Sequence, residues 1–523
     1  MKNKLIRLLA LVFVVIFALS SLVACGDDSD DDNKVNKVVG SGEDRFKDVN
    51  FGGKTIRLLM SSCTDASRGG VSPSKYMVGP DGDTNDKIEQ EVQKRNDYVK
   101  GKLGLDVEYS YIDDAWNTAA PLIRQIYQAN EKDMPDAVSN RIGALFELQL
   151  EGIFRNVNTT KYTNYFDFTD KTWYVNSMNS YAFGNNIANG GKGYMLFGDY
   201  FLDLIRCMSV LYVNEEELIA KTSYQNIEDF YSDIVDYGDW TWDKFLGIIN
   251  QSYNDTPNSV QGTDAEDELG AVFMANISGV LQAGTCMTLA YGTSINLIEY
   301  NSSSGAYEYN STAITGTFDT YLKKIKDIFN KDGVLLYKSA TESTNDIRNI
   351  FAKGKTVFSG NLYIFDLEGS ILSGLKKCPI PYPKLYETDR YVARVHDNAN
   401  AGAIFKSTRN FTEVSAFWQY ANIKSEAVRN KYYNDGLKLK YETGTGTKKM
   451  LDLLYNSLTI NATQQFDQFI TVTGEDVSTS LFSLLGGVVY GNKETASSWE
   501  GMKNQKVNGL KALNDKYKAL KDE

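Results

Sequence analysis

The chain has one histidine, His396, in 523 residues. That scarcity removes most chemistry that leans on imidazole, whether as general base or as metal ligand. Its five cysteines, Cys25, Cys63, Cys207, Cys286 and Cys378, form no C-x-x-C pair. Neither a zinc site nor a disulfide framework is expected, and the last four read as small buried hydrophobes. No G-x-S-x-G elbow, Walker loop or H-E-x-x-H stretch occurs, and Gly360-Asn361 lacks the spacing of a dinucleotide fingerprint. Basic excess is missing too, since 55 Lys and Arg stand against 67 Asp and Glu for a formal charge of −12. Such a balance argues against nucleic acid as a partner and against an electrostatic grip on anionic lipid. The many acids leave room for a facing carboxylate pair of the glycosidase kind. Asp113-Asp114 and Glu215-Glu216-Glu217, however, read as a solvated turn and an acidic first helical turn. No cofactor and no metal ion are expected.

What is present begins at the amino terminus. Lys2, Lys4 and Arg7 precede an apolar run over residues 8–22 that ends Leu22-Val23-Ala24-Cys25. A basic start, a short apolar stretch and small residues before a cut read as an export signal over residues 1–24. A membrane span would need about twenty apolar residues. Residues 25–50 carry Asp27, Asp28, Asp30, Asp31 and Asp32 with few large apolar side chains. They form a flexible acidic tether, because so little buried surface cannot offset the entropy of ordering. Cys25 at the boundary resembles the lipobox cysteine of bacterial lipoproteins. The resemblance implies cleavage before Cys25 and diacylglycerol on its sulfur. It also implies frequent acylation of the new amino terminus, which together supply enough chains for stable anchoring. The expected location is a cell membrane, lipid-anchored and facing outside the cytoplasm.

Length suggests two to four domains or lobes of roughly 150 residues each. Residues 55–60 read as a buried strand, 85–103 as a helix with Ile88, Val92, Val99 and Leu103 near helical spacing, and 105–111 as an alternating strand. A helix over 116–130 and a strand over 136–138 follow. Strand alternating with helix is the signature of a parallel sheet, whose ligands bind at the strands' carboxyl ends. That rule singles out Ser61-Ser62-Cys63, residues 110–115 and Ser139-Asn140-Arg141. Residues 208–213 read as a strand entering a second sheet, and Thr241 as the cap of an amphipathic helix. Residues 356–358 predict a short strand, 359–363 a turn, and a helix thereafter. Cys378-Pro379-Ile380-Pro381-Tyr382-Pro383 holds three of eight prolines and suits a stiff crossing between lobes.

Six stretches in order carry a second resemblance. They are the lipobox; Pro135-Asp136-Ala137-Val138 with Leu150-Glu151-Gly152-Ile153-Phe154; Val210-Leu211-Tyr212-Val213-Asn214; Trp240-Thr241-Trp242-Asp243-Lys244-Phe245; residues 354–363; and residues 400–408. Together they resemble the extracellular solute-binding proteins of bacterial ABC importers, in the sugar-binding family that includes maltose-binding protein. The resemblance implies an α/β, two-lobed periplasmic-binding-protein-like fold of type II. Each lobe would be a mostly parallel sheet flanked by helices, with a hinge between the two. Residues 50–200 plus 384–428 would make one lobe, and 201–383 plus 429–523 the other. It implies a monomer that captures a small solute, a carbohydrate such as an oligosaccharide, for membrane permease subunits, without catalysis. By the same resemblance Tyr363 stacks on a sugar ring, Asn361 offers a donor and an acceptor, and Ser139, Asn140 and Arg141 supply polar contacts from the opposite lobe. Asp199, Tyr200 and Arg206, near the first crossing, complete the candidate site, and Trp240 and Trp242 belong to the scaffold. A surface-anchored carbohydrate-active enzyme and a glycan-capture or signalling module without a permease are the alternatives.

Overall fold

The computed structural model describes residues 38, 40–62, 71–112, 118–129, 131, 133–184, 186–258, 260, 262–276, 283–339, 343–438, 445–473 and 480–521. The export signal, Cys25, most of the tether and Cys63 lie outside the described residues.

Within the compact unit Lys37–Glu523, strand β1 (Lys54–Ser61) leads to helix α1 (Lys87–Leu103). The Asp86 side chain caps α1 by accepting from the amides of Ile88 and Glu89, and Gly104 ends it at φ 58. A Cβ at Gly104 would meet Asn50 Oδ1 at 2.3 Å, so both the backbone angle and the close approach call for glycine there. Next come β2 (Leu105–Ile112), α2 (Ala119–Ala129), β3 (Ala137–Arg141) and α3 (Ile142–Gln149). The chain then supplies β4 (Ser209–Asn214), α4 (Trp242–Ser252), β5 (Leu269–Asn276), β6 (Val334–Ser339), β7 (Thr356–Tyr363) and β8 (Lys377–Ile380). Strand β9 (Asn400–Ile404) precedes the long helix α5 (Phe411–Lys431), and α6 (Thr445–Asn456), α7 (Ala462–Thr473) and α8 (Thr495–Ala519) follow.

Two sheets organise these elements. The first has the order β9-β3-β1-β2. Strand β1 runs parallel to β2 and β3, while β9 returns antiparallel to β3. Because β2 and β3 lie on opposite sides of β1, the strand order reverses between β1 and β3, and at the carboxyl ends of such strands open α/β sheets form a crevice. The second sheet has the order β8-β4-β7-β5-β6. Strand β5 is parallel to β6 and β7, and β4 is antiparallel to β7 and β8. The result is a two-lobed α/β fold with parallel-rich sheets flanked by helices.

The recognisable stretches have local physical reasons. Asp136 carries the Pro-Asp signature because its carboxylate accepts from the Arg57 amide at 2.8 Å, from Thr408 Oγ1 and from Asn410 Nδ2 at 3.1 Å. One buried acid thereby ties β1 to the start of β3 and to the turn before α5. Thr241 caps α4 by accepting from the Lys244 amide. Trp240 and Trp242 are buried, with Trp240 Nε1 donating to the Pro381 carbonyl at 2.9 Å.

Two local expectations are corrected. Strand β7 does not turn after Phe358; it continues to Tyr363. Asn361 takes the left-handed conformation at φ 61, and the pairing with β4 shifts register between Val210 and Tyr212. The irregularity is absorbed as a bulge because Phe358 and Leu362 on either side are fully buried. The proline-rich crossing also begins as a strand, since β8 pairs along β4 with Pro379 opposite Tyr212. Its edge position tolerates the missing amide proton.

Candidate functional site

A cavity of about 560 Å³ opens beyond the carboxyl end of β3. Arg141, the last residue of β3, Phe146 on α3, Asp397 before β9, and Gln465, Gln468 and Phe469 on α7 are among its lining residues. Helix α3 starts directly at the strand's end, so its first turn forms one wall. Gly143 and Gln465 face each other across the cavity wall. The rings of Phe146 and Phe469 meet edge to face, with centroids 6.0 Å apart. Volume and lining are those of a small-molecule site, in which flat apolar groups alternate with a few fixed polar ones.

Charge in the cavity is largely compensated. Arg124 binds Glu147 at 2.6 Å and Glu151 at 2.5 Å, which occupies both carboxylates at the rim. Burial opposes ionisation of Asp397, but the adjacent His396 ring and the Arg394 guanidinium outweigh it and hold the carboxyl well below the usual range. His396 Nδ1 lies 2.9 Å from Asp397 Oδ1. Arg394 in turn donates to Gln464 Oε1 at 2.7 Å and to Thr288 Oγ1 at 3.2 Å. Arg141 Nη1 donates to Asn398 Oδ1 at 3.4 Å, so residues 396–398 join the end of β3 to α7.

Tyr363 approaches from the second sheet. It ends β7, stacks on Phe365 at 5.2 Å and meets the His396 ring edge-on at 5.4 Å. Burial, partly countered by Arg394, pushes its hydroxyl up to about 12. The group therefore stays a neutral donor and acceptor over the physiological range. A continuous path of side chains, Tyr363 to His396 to Asp397, connects it with the cavity that Arg141 lines.

The other nominated residues have different surroundings. Asn361 Oδ1 accepts from the Met274 amide at 3.0 Å, and its Nδ2 donates to Thr285 Oγ1 at 2.5 Å. Its amide thus stitches β7 to β5. Ser139 is fully buried against Met77 Sδ at 3.5 Å. Asn140 Oδ1 accepts from the Arg141 amide at 2.7 Å, while its buried Nδ2 has no partner. Tyr200 is buried under the Arg95 guanidinium, 4.6 Å above its ring. Asp199 accepts from Tyr174 and Tyr455 hydroxyls at 2.8 Å each and pairs with Arg429. Arg206 binds Glu368 with two donors, at 2.8 and 3.0 Å, and Asp203 at 3.0 Å. Both ion-pair groups are buried at the first crossing with their charge met by protein.

Several lining residues were not singled out from sequence. Gln465, Gln468 and Phe469 recur at helical spacing on one face of α7, a pattern that marks a polar and aromatic face on an otherwise buried helix. Asn400, opposite Arg141 in the register, is fully buried with neither side-chain atom partnered. An unmet buried amide costs about 1–3 kcal/mol, and Asn400, which does not line the cavity, carries that cost inside the core.

The arrangement defines a class by fold: a two-lobed α/β protein with its crevice where the chain crosses between sheets. The sugar-binding protein MalE of Xanthomonas citri shares this fold with a TM-score of 0.50 at 11% identity, over 89% of this chain and 100% of that one. The GacH receptor of Streptomyces glaucescens, known in complex with acarbose, gives a TM-score of 0.45 at 11% identity, covering 90% of this chain and 100% of that one. No protein-family model and no curated protein sequence matches the chain.

Proposed function

We propose that the protein is a lipid-anchored receptor that captures an extracellular carbohydrate and presents it to an ABC permease. The observation that carries this reading is the cavity between β3–α3 and α7. It joins the edges of Phe146 and Phe469 to the amides of Gln465 and Gln468, beside the buried Asp397. Aromatic rings suit the C–H faces of a sugar, and amides suit paired hydroxyls. Both acids at the rim are held by Arg124, which suits binding better than proton transfer. Capture needs no bond to be made or broken. The ligand binds one setting of the lobes better and shifts the population toward it. The fold shared with a sugar-binding protein supports the ligand class, and the lipobox-like Cys25 supports anchoring outside the cytoplasm.

A thermal-shift screen of the mature chain against sugars, peptides and metal ions tests the ligand class. A sugar at a hundred times its Kd adds about 2.7 kcal/mol of stability. Stabilisation by peptides or metal ions alone overturns the carbohydrate reading. Separately, Cys25→Ala should move the protein from the membrane fraction to the soluble one; unchanged membrane association overturns the anchor.

A further inference from the structure

A second cavity, of about 390 Å³, shares no lining residue with the first. One wall comes from residues 168–177, the other from Tyr455 and Asn456 at the end of α6 with Leu458 beyond. The two walls belong to different parts of the fold. The Tyr174 amide donates to the Phe197 carbonyl at 2.9 Å, and Leu196 bridges to Gly402 in β9 of the first sheet. Helix α6 instead packs on β8 of the second.

The aromatic side chains of this cavity are held rigidly. Tyr174 and Tyr455 cross edge to face with centroids 6.1 Å apart, and both hydroxyls donate to the same Asp199 oxygen at 2.8 Å. The Arg429 guanidinium neutralises Asp199 from beneath and lies 4.2 Å from the Tyr455 ring centroid. Trp173 Nε1 donates to Gln419 Oε1 at 2.7 Å, which fixes a third ring. At the rim, Asn176 and Asn456 are exposed and their amides make no hydrogen bond among the described residues. Rigid rings below neutral amides form a platform for a ligand with an apolar face and hydroxyl edges, and little conformational entropy is lost on contact.

We propose that this cavity is a second carbohydrate site, which takes a neutral sugar ring against the joined Tyr174 and Tyr455 rings with hydroxyls toward Asn176 and Asn456. Only its ligand class borrows from the reading of the first cavity; its geometry is independent. A neutral ligand fits because the buried Asp199 is already matched by Arg429, and the exposed rim offers one acid, Asp170, against one cation, Lys171. The cavity size falls within that of small-molecule sites.

The test is calorimetric titration of the mature chain with maltotriose, glucose and galactose, in wild type, Asn176→Trp, Asn456→Trp and Phe469→Ala. The two tryptophans fill the second cavity from opposite walls at exposed positions, and circular dichroism checks their folding. Two binding events per chain are expected, one of them weakened at least tenfold by either filling substitution and untouched by Phe469→Ala. A single event weakened by Phe469→Ala alone overturns the second site and leaves the first reading standing. A single event weakened only by the filling substitutions supports the second site and overturns the first. Two events indifferent to both filling substitutions, or no event with any of the three sugars, overturn the proposal.

Discussion

The crossing between the lobes has two faces that treat charge in opposite ways. Around Arg206 and Asp199 every charge is buried and matched: Arg206 by Glu368 and Asp203, Asp199 by Arg429 and two tyrosines. Around the 560 Å³ cavity Phe469 and Gln468 are only partly buried, while Phe146 is buried. Polar residues at similar places in the topology thus serve different ends. Those whose partners come from the same chain hold the crossing together, and those whose partners are incomplete are available to a ligand.

The largest effect expected from breaking this contrast is at Arg206. Arg206→Ala leaves the buried Asp203 and the largely buried Glu368 without their cation, and removal of one member of a buried pair costs about 3–5 kcal/mol. Urea denaturation should show a loss of that order; a loss below 1 kcal/mol would remove the charge cluster from the account of the crossing. The second test uses pH. Burial raises the Asp199 carboxyl to about 6 against the pull of Arg429 and the tyrosines. A folded value above the ordinary 3.8 means that the native state holds this proton more tightly than the unfolded one. The stability it contributes is complete below pH 3.8 and declines as pH rises through about 6. Asp199→Asn should lack that decline, and identical slopes of melting temperature against pH in the two proteins would contradict it.

Effects on the open face should appear in affinity and leave folding nearly intact. Tyr363→Ala and Phe469→Ala are each expected to weaken sugar binding about tenfold, about 1.4 kcal/mol, with small changes in melting temperature. Calorimetry showing wild-type affinity for either variant takes that ring out of the site. Gln468→Ala, which removes one hydrogen-bonding group at the cavity wall, should cost about 0.5–1.5 kcal/mol of binding. An effect as large as that of Phe469→Ala would mean that amide recognition, rather than ring contact, dominates.

Much of the first lobe was legible because its signals are local. The spacing of Ile88, Val92, Val99 and Leu103 marks α1, and Gly104 marks its end. The Pro-Asp stretch announced β3, and Arg141 at its carboxyl end does line the cavity. The turn expected at residues 359–363 was misplaced because a left-handed Asn361 inside a strand has the same sequence appearance as one that ends it. Beyond Asn361 it is pairing with β4, Val210 opposite Leu362 and Ser209 opposite Tyr363, that keeps the strand going. The α7 wall escaped notice because it lies more than 300 residues from β3 in the chain.

The sequence by itself determined the alternation of strands and helices and the Thr241 cap, since periodicity and capping act over a few neighbouring residues. Tertiary structure alone decided which polar side chains are matched. The desolvation of Asp199, Arg206, Asn361 or Arg141 depends on partners brought from distant segments, and the same residue type is a structural pin where those partners complete it and a binding group where they do not.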